Sequence, residues 1–194
     1  MPAIAEMERL SWPAGMAADE AQLAARLAAF PAGQLVAERA GRIVGYAAAQ
    51  RISSDLLRHE PLTFATLTDG GRFTRTAIPA GDTYQLIGVA VLPEERGSGL
   101  ARALVDRQLA LARAAPGVRR IVGFTRPAGY HRHFEVPIEE YVLRRDRRGR
   151  IADPVLSFHL DAGARLVSVH PGFRPEDREA RGHGVLIEYP LSEE

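Results

Sequence analysis

The 194-residue chain predicts an α/β (α+β) fold, on three observations. An apolar, strand-like run, Tyr84 to Val91, is stopped by Leu92-Pro93. A glycine-bearing turn follows it, Arg96-Gly97-Ser98-Gly99-Leu100-Ala101. A helical stretch then runs from near Ser98 to residue 114, with Leu100, Ala103, Leu104, Leu109 and Leu111 at mixed spacings of three and four. Short apolar strands that alternate with amphipathic helices bury their faces as packed layers of sheet and helix.

Taken in order, residues 18–29 carry helix formers behind acidic residues and predict a helix, which Phe30-Pro31-Ala32-Gly33 stops. Gln34–Ala40 and Arg42–Gln50 flank Gly41 and read as a hairpin, with Gly45 a bulge or a close approach. Residues 61–83 are rich in turn formers and predict a loop or a short extra hairpin. Strand 84–91 and helix 98–114 follow. Ala115-Pro116-Gly117 ends that helix, and Arg120–Phe124 reads as a buried strand. Residues 126–150 form an insertion, in which Val136–Arg148 predicts a polar-faced helix closed by Gly149. Asp153-Pro154 reads as an N-cap and a proline at the first helical position, opening a helix over 153–163. Ala164–Val169 and Gly184–Tyr189 alternate as two closing strands. No internal repeat or low-complexity linker interrupts the pattern, so residues 1–194 are expected to form a single domain.

Composition removes several classes of chemistry. Apolar residues make up 46% and charged residues 25%, as in soluble globular proteins. There is no cysteine, which excludes disulfides, zinc–thiolate sites and a cysteinyl acyl-enzyme. Every basic side chain is arginine, 25 in all without a lysine, so Schiff-base chemistry and a P-loop lysine are excluded too. The net charge of +1 gives no footprint for nucleic acid or a membrane surface. No apolar run approaches the roughly 18–20 residues of a membrane span. The first ten residues lack the pattern of a signal peptide, so a cytoplasmic location is expected.

The turn at 96–101 is the most informative stretch. A glycine turn feeding a helix exposes unpaired backbone N–H groups backed by the helix dipole, which is a site for a phosphate or pyrophosphate. It is not a Walker loop, because Gly-Lys-Ser/Thr is absent, and Arg102 occupies the third-glycine position of a dinucleotide fingerprint. The order strand, Pro-Glu-Glu, Arg-x-x-Gly-x-Ala, helix resembles the acyl-CoA loop of the GNAT acetyltransferase superfamily. That resemblance implies a central, mixed, mostly antiparallel sheet with a splayed strand pair and flanking helices, here with a helical insertion before the final helix. It also implies that an acyl-CoA, acetyl-CoA first among them, binds along Val89, Val91, Arg96, Gly97, Ser98, Gly99, Leu100 and Ala101. The implied reaction is acyl transfer to an amine or a carrier thiol.

In common members of that superfamily a tyrosine on the final helix protonates the departing thiolate. Phe158-His159-Leu160-Asp161-Ala162-Gly163 puts His159 at that position. A histidine has the proton affinity for that transfer, or for holding an acyl carboxylate; the plain alternative is a hydrogen-bonded helix histidine. A narrower resemblance rests on Phe124-Thr125-Arg126, Pro137–Tyr141, Asp153–His159 and Phe173–Asp177. Together these stretches are similar to the GNAT-like domains of polyketide loading modules. By that resemblance Thr125 and His159 are a catalytic pair, Arg174 lines the same tunnel, Trp12 is a tunnel tryptophan, and the alternative reaction is decarboxylation of a malonyl thioester such as malonyl-CoA. A protonated His159 or a water would then quench the carbanion. Arg174 is equally readable as a surface partner of Glu176 or Asp177, and Thr125 as a plain strand-end residue. A non-catalytic acyl-CoA-binding module is the third reading.

Other features carry less. His131 and His133 are spaced as metal ligands but lack an acidic or cysteine partner, so no metal is expected. Arg144, Arg145, Arg147, Arg148 and Arg150 form a basic run expected at a helix end. The default there is a solvated terminus, and docking of an acidic acyl carrier protein is the alternative. Leu100, Leu104, Leu109 and Leu111 are expected in the core.

Overall fold

The computed structural model describes residues 1–192. Helix α1, Pro2–Ser11, opens with a proline that has no N–H to leave unpaired, and buries Ile4, Met7 and Glu8. The sequence reading missed it. Helix α2, Glu20–Ala29, begins at a capping box in which Asp19 and Gln22 satisfy each other's backbone N–H at 2.7 and 2.9 Å.

Strands β1, Gln34–Arg39, and β2, Arg42–Ile52, form the expected hairpin around Ala40 and Gly41, both at positive φ. Gly45 meets both descriptions given to it. Its strand carries one extra residue opposite Ala37/Glu38, and a Cβ there would lie 3.0 Å from the Leu104 side chain. Residues 61–83 do not form a hairpin. They hold a one-turn helix, α3 (Phe64–Thr68), capped by Thr63 and Thr66, and then turns; threonine hydroxyls there satisfy backbone N–H groups that a ladder would otherwise need.

Strand β3, Thr83–Val91, runs through the turn at 93–99 into helix α4, Leu100–Ala114, two residues later than predicted. Leu104, Val105, Gln108, Leu109 and Ala112 of α4 are buried on the sheet, with Leu100 and Leu111 partly covered. Strand β4, Arg120–Thr125, returns parallel to β3. The predicted insertion helix shrinks to one turn, α5, Ile138–Tyr141. Beyond it Asp146 accepts the N–H groups of Arg148 and Arg150 at 2.8 and 3.0 Å and bends the chain into a turn closed by an Arg145–Ile151 bridge. That side chain competes with helical hydrogen bonds, and the arginine-rich run has no apolar face to bury. The basic segment therefore sits on a turn, not a helix end.

Helix α6, Pro154–Asp161, starts where predicted. Asp153, fully buried, takes the N–H groups of Val155 and Leu156 on one carboxylate oxygen and those of Gly129 and the Tyr141 hydroxyl on the other. One carboxylate thus caps α6 and ties the insertion to it. Strands β5, Arg165–His170, and β6, Gly184–Tyr189, close the sheet.

The order is β1-β2-β3-β4-β6-β5, antiparallel except for β3 and β4. That pair shares only four rungs, from Thr83–Arg120 to Leu86–Gly123, and then parts. Ile87 is an extra residue on β3 where its pairing with β2 slips between Ala48 and Ala49. The bulge turns β3 away from β4 and opens a cleft at the centre of the sheet.

Candidate active site

The cleft left by the splay is a cavity of about 450 Å³, lined on one side by β3 and on the other by residues from β4, α6 and the 171–184 loop. Two of its properties come directly from backbone. Beyond Leu86, β3 has no ladder partner on the β4 side, so some of its N–H and C=O groups face the cleft. Between the lining residues Arg96 and Ala101, but not on the cavity wall themselves, Gly97 and Gly99 hold φ of +81° and +85°, and no acceptor among the described residues takes their N–H groups. Ser98 accepts the Leu100 N–H at 3.3 Å and donates to the Glu95 carbonyl at 2.7 Å. Val89, Val91, Arg96 and Ala101 border the cleft, while Leu100 packs inward. The space around both glycines is open, so they are required for their left-handed backbone rather than for crowding. Such a turn ahead of a 15-residue helix fits an anionic group.

At the other end, Trp12, Thr125, His159 and Arg174 all border the same cavity, so the fold brings together the four side chains singled out from the sequence. Trp12 donates its indole N–H to Glu8 at 3.0 Å, and the other oxygen of that buried carboxylate takes the Ala18 N–H at 3.0 Å. The indole lies against Gly88, where a Cβ would come within 3.1 Å of it. Gly88 is thus a close-approach glycine.

Thr125 ends β4 opposite Val185. Its hydroxyl is buried and has no hydrogen-bond partner among the described residues, an arrangement that costs stability unless something else supplies the partner. Arg174 does not pair with Glu176 or Asp177. Arg126 takes Asp177 through two hydrogen bonds of 2.6 and 2.7 Å and adds Glu179 at 2.7 Å. Arg174 instead donates to the Met16 carbonyl at 2.7 Å and lays its guanidinium 4.1 Å over the Phe64 ring. Burial pulls its pKa down, against the nearby Glu176 and Asp177 charges.

His159 projects from α6, its Nδ1 2.6 Å from the Tyr189 hydroxyl and its ring edge-on to Phe158. The ring borders the cavity but is packed by protein on most sides, and that desolvation drops its pKa to about 4. It is therefore neutral near pH 7, which corrects the expectation of a protonated histidine. Two residues here were not anticipated. Tyr189, the hydroxyl partner of His159, is separated from it by 30 residues and was visible only as a strand end. His183, on the same cavity wall, has a buried Nδ1 without a partner; nothing in its local sequence marked it.

His131 and His133 are surface residues engaged with the Ala128 carbonyl, Arg144 and Glu135. Among the described residues no helix is long and apolar enough to cross a membrane.

Comparison with known proteins agrees with this geometry. The structure superposes on the loading GNATL domain of CurA from Lyngbya majuscula with a TM-score of 0.88 and 28% identity, covering 98% of this chain and 92% of that one. It superposes on the GphF GNAT-like decarboxylase, solved in complex with isobutyryl-CoA, with a TM-score of 0.84 and 33% identity, covering 98% and 94%. Two curated proteins of Bacillus subtilis (strain 168) are each 31% identical. The uncharacterized N-acetyltransferase YkwB matches over 88% of this chain and 74% of its own length. The probable hydrolase YhcX matches over 86% of this chain, which spans only 32% of that protein. A family model for the acetyltransferase (GNAT) family matches residues 1–134, the part that holds the splayed strands, the glycine turn and Thr125. By that family match and by its 31% identity to YkwB, the chain belongs to the GNAT acetyltransferase family.

Proposed function

We propose that this GNAT domain decarboxylates a malonyl-type thioester, carried on CoA or on the phosphopantetheine of a carrier protein, rather than passing an acyl group to an amine. The observation that carries this reading is the buried, unpartnered hydroxyl of Thr125, on the same cavity as a cation, Arg174, that pairs with no carboxylate among the described residues. An acetyl group offers only its thioester carbonyl, which carries no charge to pair with Arg174. A malonyl group brings one carboxylate that satisfies both.

The pantetheine arm runs along β3 in the cleft, with the pyrophosphate on the open N–H groups of Gly97 and Gly99. Thr125, Arg174 and the Nε2 side of His159 hold the carboxylate out of the thioester plane. The bond between the α-carbon and the carboxylate carbon then breaks, its electron pair passes into the thioester as an enolate, and CO2 leaves. Backbone N–H groups on the freed edge of β3 stabilise the enolate oxygen. The α-carbon takes one proton from water, so each turnover consumes a proton and leaves an acetyl thioester. Trp12, Phe124, Phe158 and Phe173 line this end of the cleft and limit competing hydrolysis. The similarity to the GphF decarboxylase at 33% identity supports the reading.

The test is incubation with malonyl-CoA alone. Acetyl-CoA should accumulate, by mass spectrometry, without any acceptor. Acyl transfer is the alternative: it would leave malonyl-CoA untouched until an amine or a carrier thiol is added.

A further inference from the structure

Tyr189 ends β6, across the ladder from Ile121, and is 2% exposed. Its hydroxyl has one hydrogen-bond partner among the described residues, Nδ1 of His159 at 2.6 Å. The two rings meet edge to face, 73° between planes. A hydrogen bond this short between two neutral groups has two possible directions, and burial distinguishes them. Were the imidazole to donate from Nδ1, the phenolic proton would be left inside the protein with no acceptor, an arrangement that costs stability. With the phenol donating, both groups are satisfied and the imidazole proton must sit on Nε2.

We propose that Tyr189 is a positioning residue for His159: its hydroxyl donates to Nδ1, fixes the ring as the Nε2–H tautomer, and so turns a hydrogen-bond donor, not a lone pair, toward the acyl group. The catalytic consequence rests on the decarboxylase reading, because a donor at that point binds a carboxylate or an enolate oxygen whereas a lone pair repels either. The tautomer itself does not depend on that reading. The arrangement also accounts for a histidine on α6. A histidine there can be locked by a phenol from behind and still present an N–H in front, which a tyrosine in the same place cannot do.

The test is ¹⁵N spectroscopy of the six histidines in the full chain, with His159 assigned by the signal missing from His159→Gln. In the wild type, Nε2 should be pyrrole-like and Nδ1 pyridine-like, with no averaging. In Tyr189→Phe, which keeps the ring's volume, both nitrogens should move toward averaged shifts as the second tautomer becomes populated. The turnover number on malonyl-CoA should fall about tenfold with KM within about twofold, the scale of one lost neutral hydrogen bond. A proton on Nδ1 in the wild type, or unchanged shifts in Tyr189→Phe, overturns the assignment. The expected shifts in a protein that leaves malonyl-CoA intact uphold Tyr189 as the tautomer lock and defeat the decarboxylase reading instead.

Discussion

Replacing Thr125 with valine should move stability and activity in opposite directions. Valine keeps the side chain's shape and its β-branch, so it fits the same position on β4. The hydroxyl is buried and makes no hydrogen bond among the described residues, so its removal forfeits no protein contact there and relieves a desolvation cost of about 1–3 kcal/mol. The melting temperature should rise by a few degrees, since about 1 kcal/mol shifts a chain of this size by roughly 2–4 °C. On the proposed decarboxylase function, the hydroxyl would donate to the malonyl carboxylate, a charge-assisted bond worth about 1.5–3 kcal/mol. Its loss should lower kcat/KM for acetyl-CoA formation about 10- to 150-fold. Thr125→Ser, which keeps the donor, should remain within about threefold of wild type. Calorimetry reads the first quantity and mass spectrometry of malonyl-CoA turnover the second. A stabilised Thr125→Val that decarboxylates at full rate refutes the carboxylate contact; a variant destabilised by more than about 1 kcal/mol shows a structural partner for the hydroxyl and refutes the premise.

Three other perturbations probe the rest of the site. Gly99→Val forces an L-residue to φ +85°, at roughly 1–2 kcal/mol, and should raise the Kd for CoA about tenfold or more by isothermal titration; an unchanged Kd removes the turn from the binding site. Arg174→Gln should cut malonyl-CoA turnover at least about tenfold while leaving acetyl-CoA affinity within about twofold, and equal losses on both ligands would place the guanidinium on the pantetheine arm. His159 is protonated from pH 6.5 downward in the unfolded chain but only near pH 4 in the folded one. Between those values the unfolded state binds more protons, so stability is complete above about pH 6.5 and falls by up to about 3 kcal/mol as the pH drops to 4. His159→Asn should flatten that slope in denaturant titrations, and a variant with the wild-type slope assigns the titration to other groups.

The fold was legible where local chemistry sets it. The hairpin turn at Gly41, the Asp153-Pro154 helix start and the glycine turn at 97 and 99 each act within a few residues, and each appears where the sequence placed it. The errors came from competition that periodicity does not register. Threonine caps made a helix turn from a segment read as a loop or hairpin, and Asp146 unwound a predicted helix into a turn. Within the candidate site, Thr125 and His159 were singled out through a family resemblance, and the surroundings of each were not visible in the sequence. The buried surroundings of Thr125 are built by residues far apart in sequence, and Arg126, its neighbour, turns to Asp177, 51 residues away. That Arg174 stays free of carboxylates depends on the same ion pair.

The histidine on α6 bears most directly on which reaction the domain runs. A proton donor to a departing thiolate must carry a proton at working pH and be free to release it. With a pKa near 4 the imidazolium is present in about one molecule in a thousand at pH 7, and Nδ1 is already committed to Tyr189. His159 therefore cannot take over the tyrosine's role as general acid, although it stands in the tyrosine's place. What a neutral, desolvated imidazole with one anchored nitrogen does well is donate a fixed hydrogen bond to an anion, and the stronger the charge on that anion the more the bond is worth. Decarboxylation needs such a donor both before and after the carbon–carbon bond breaks, first for the carboxylate and then for the enolate. Amide formation from acetyl-CoA also passes through anions, a tetrahedral oxyanion and a thiolate, but it presents no carboxylate before the chemistry begins. The residue that departs from the common family pattern is thus the one whose surroundings most favour the departure in chemistry.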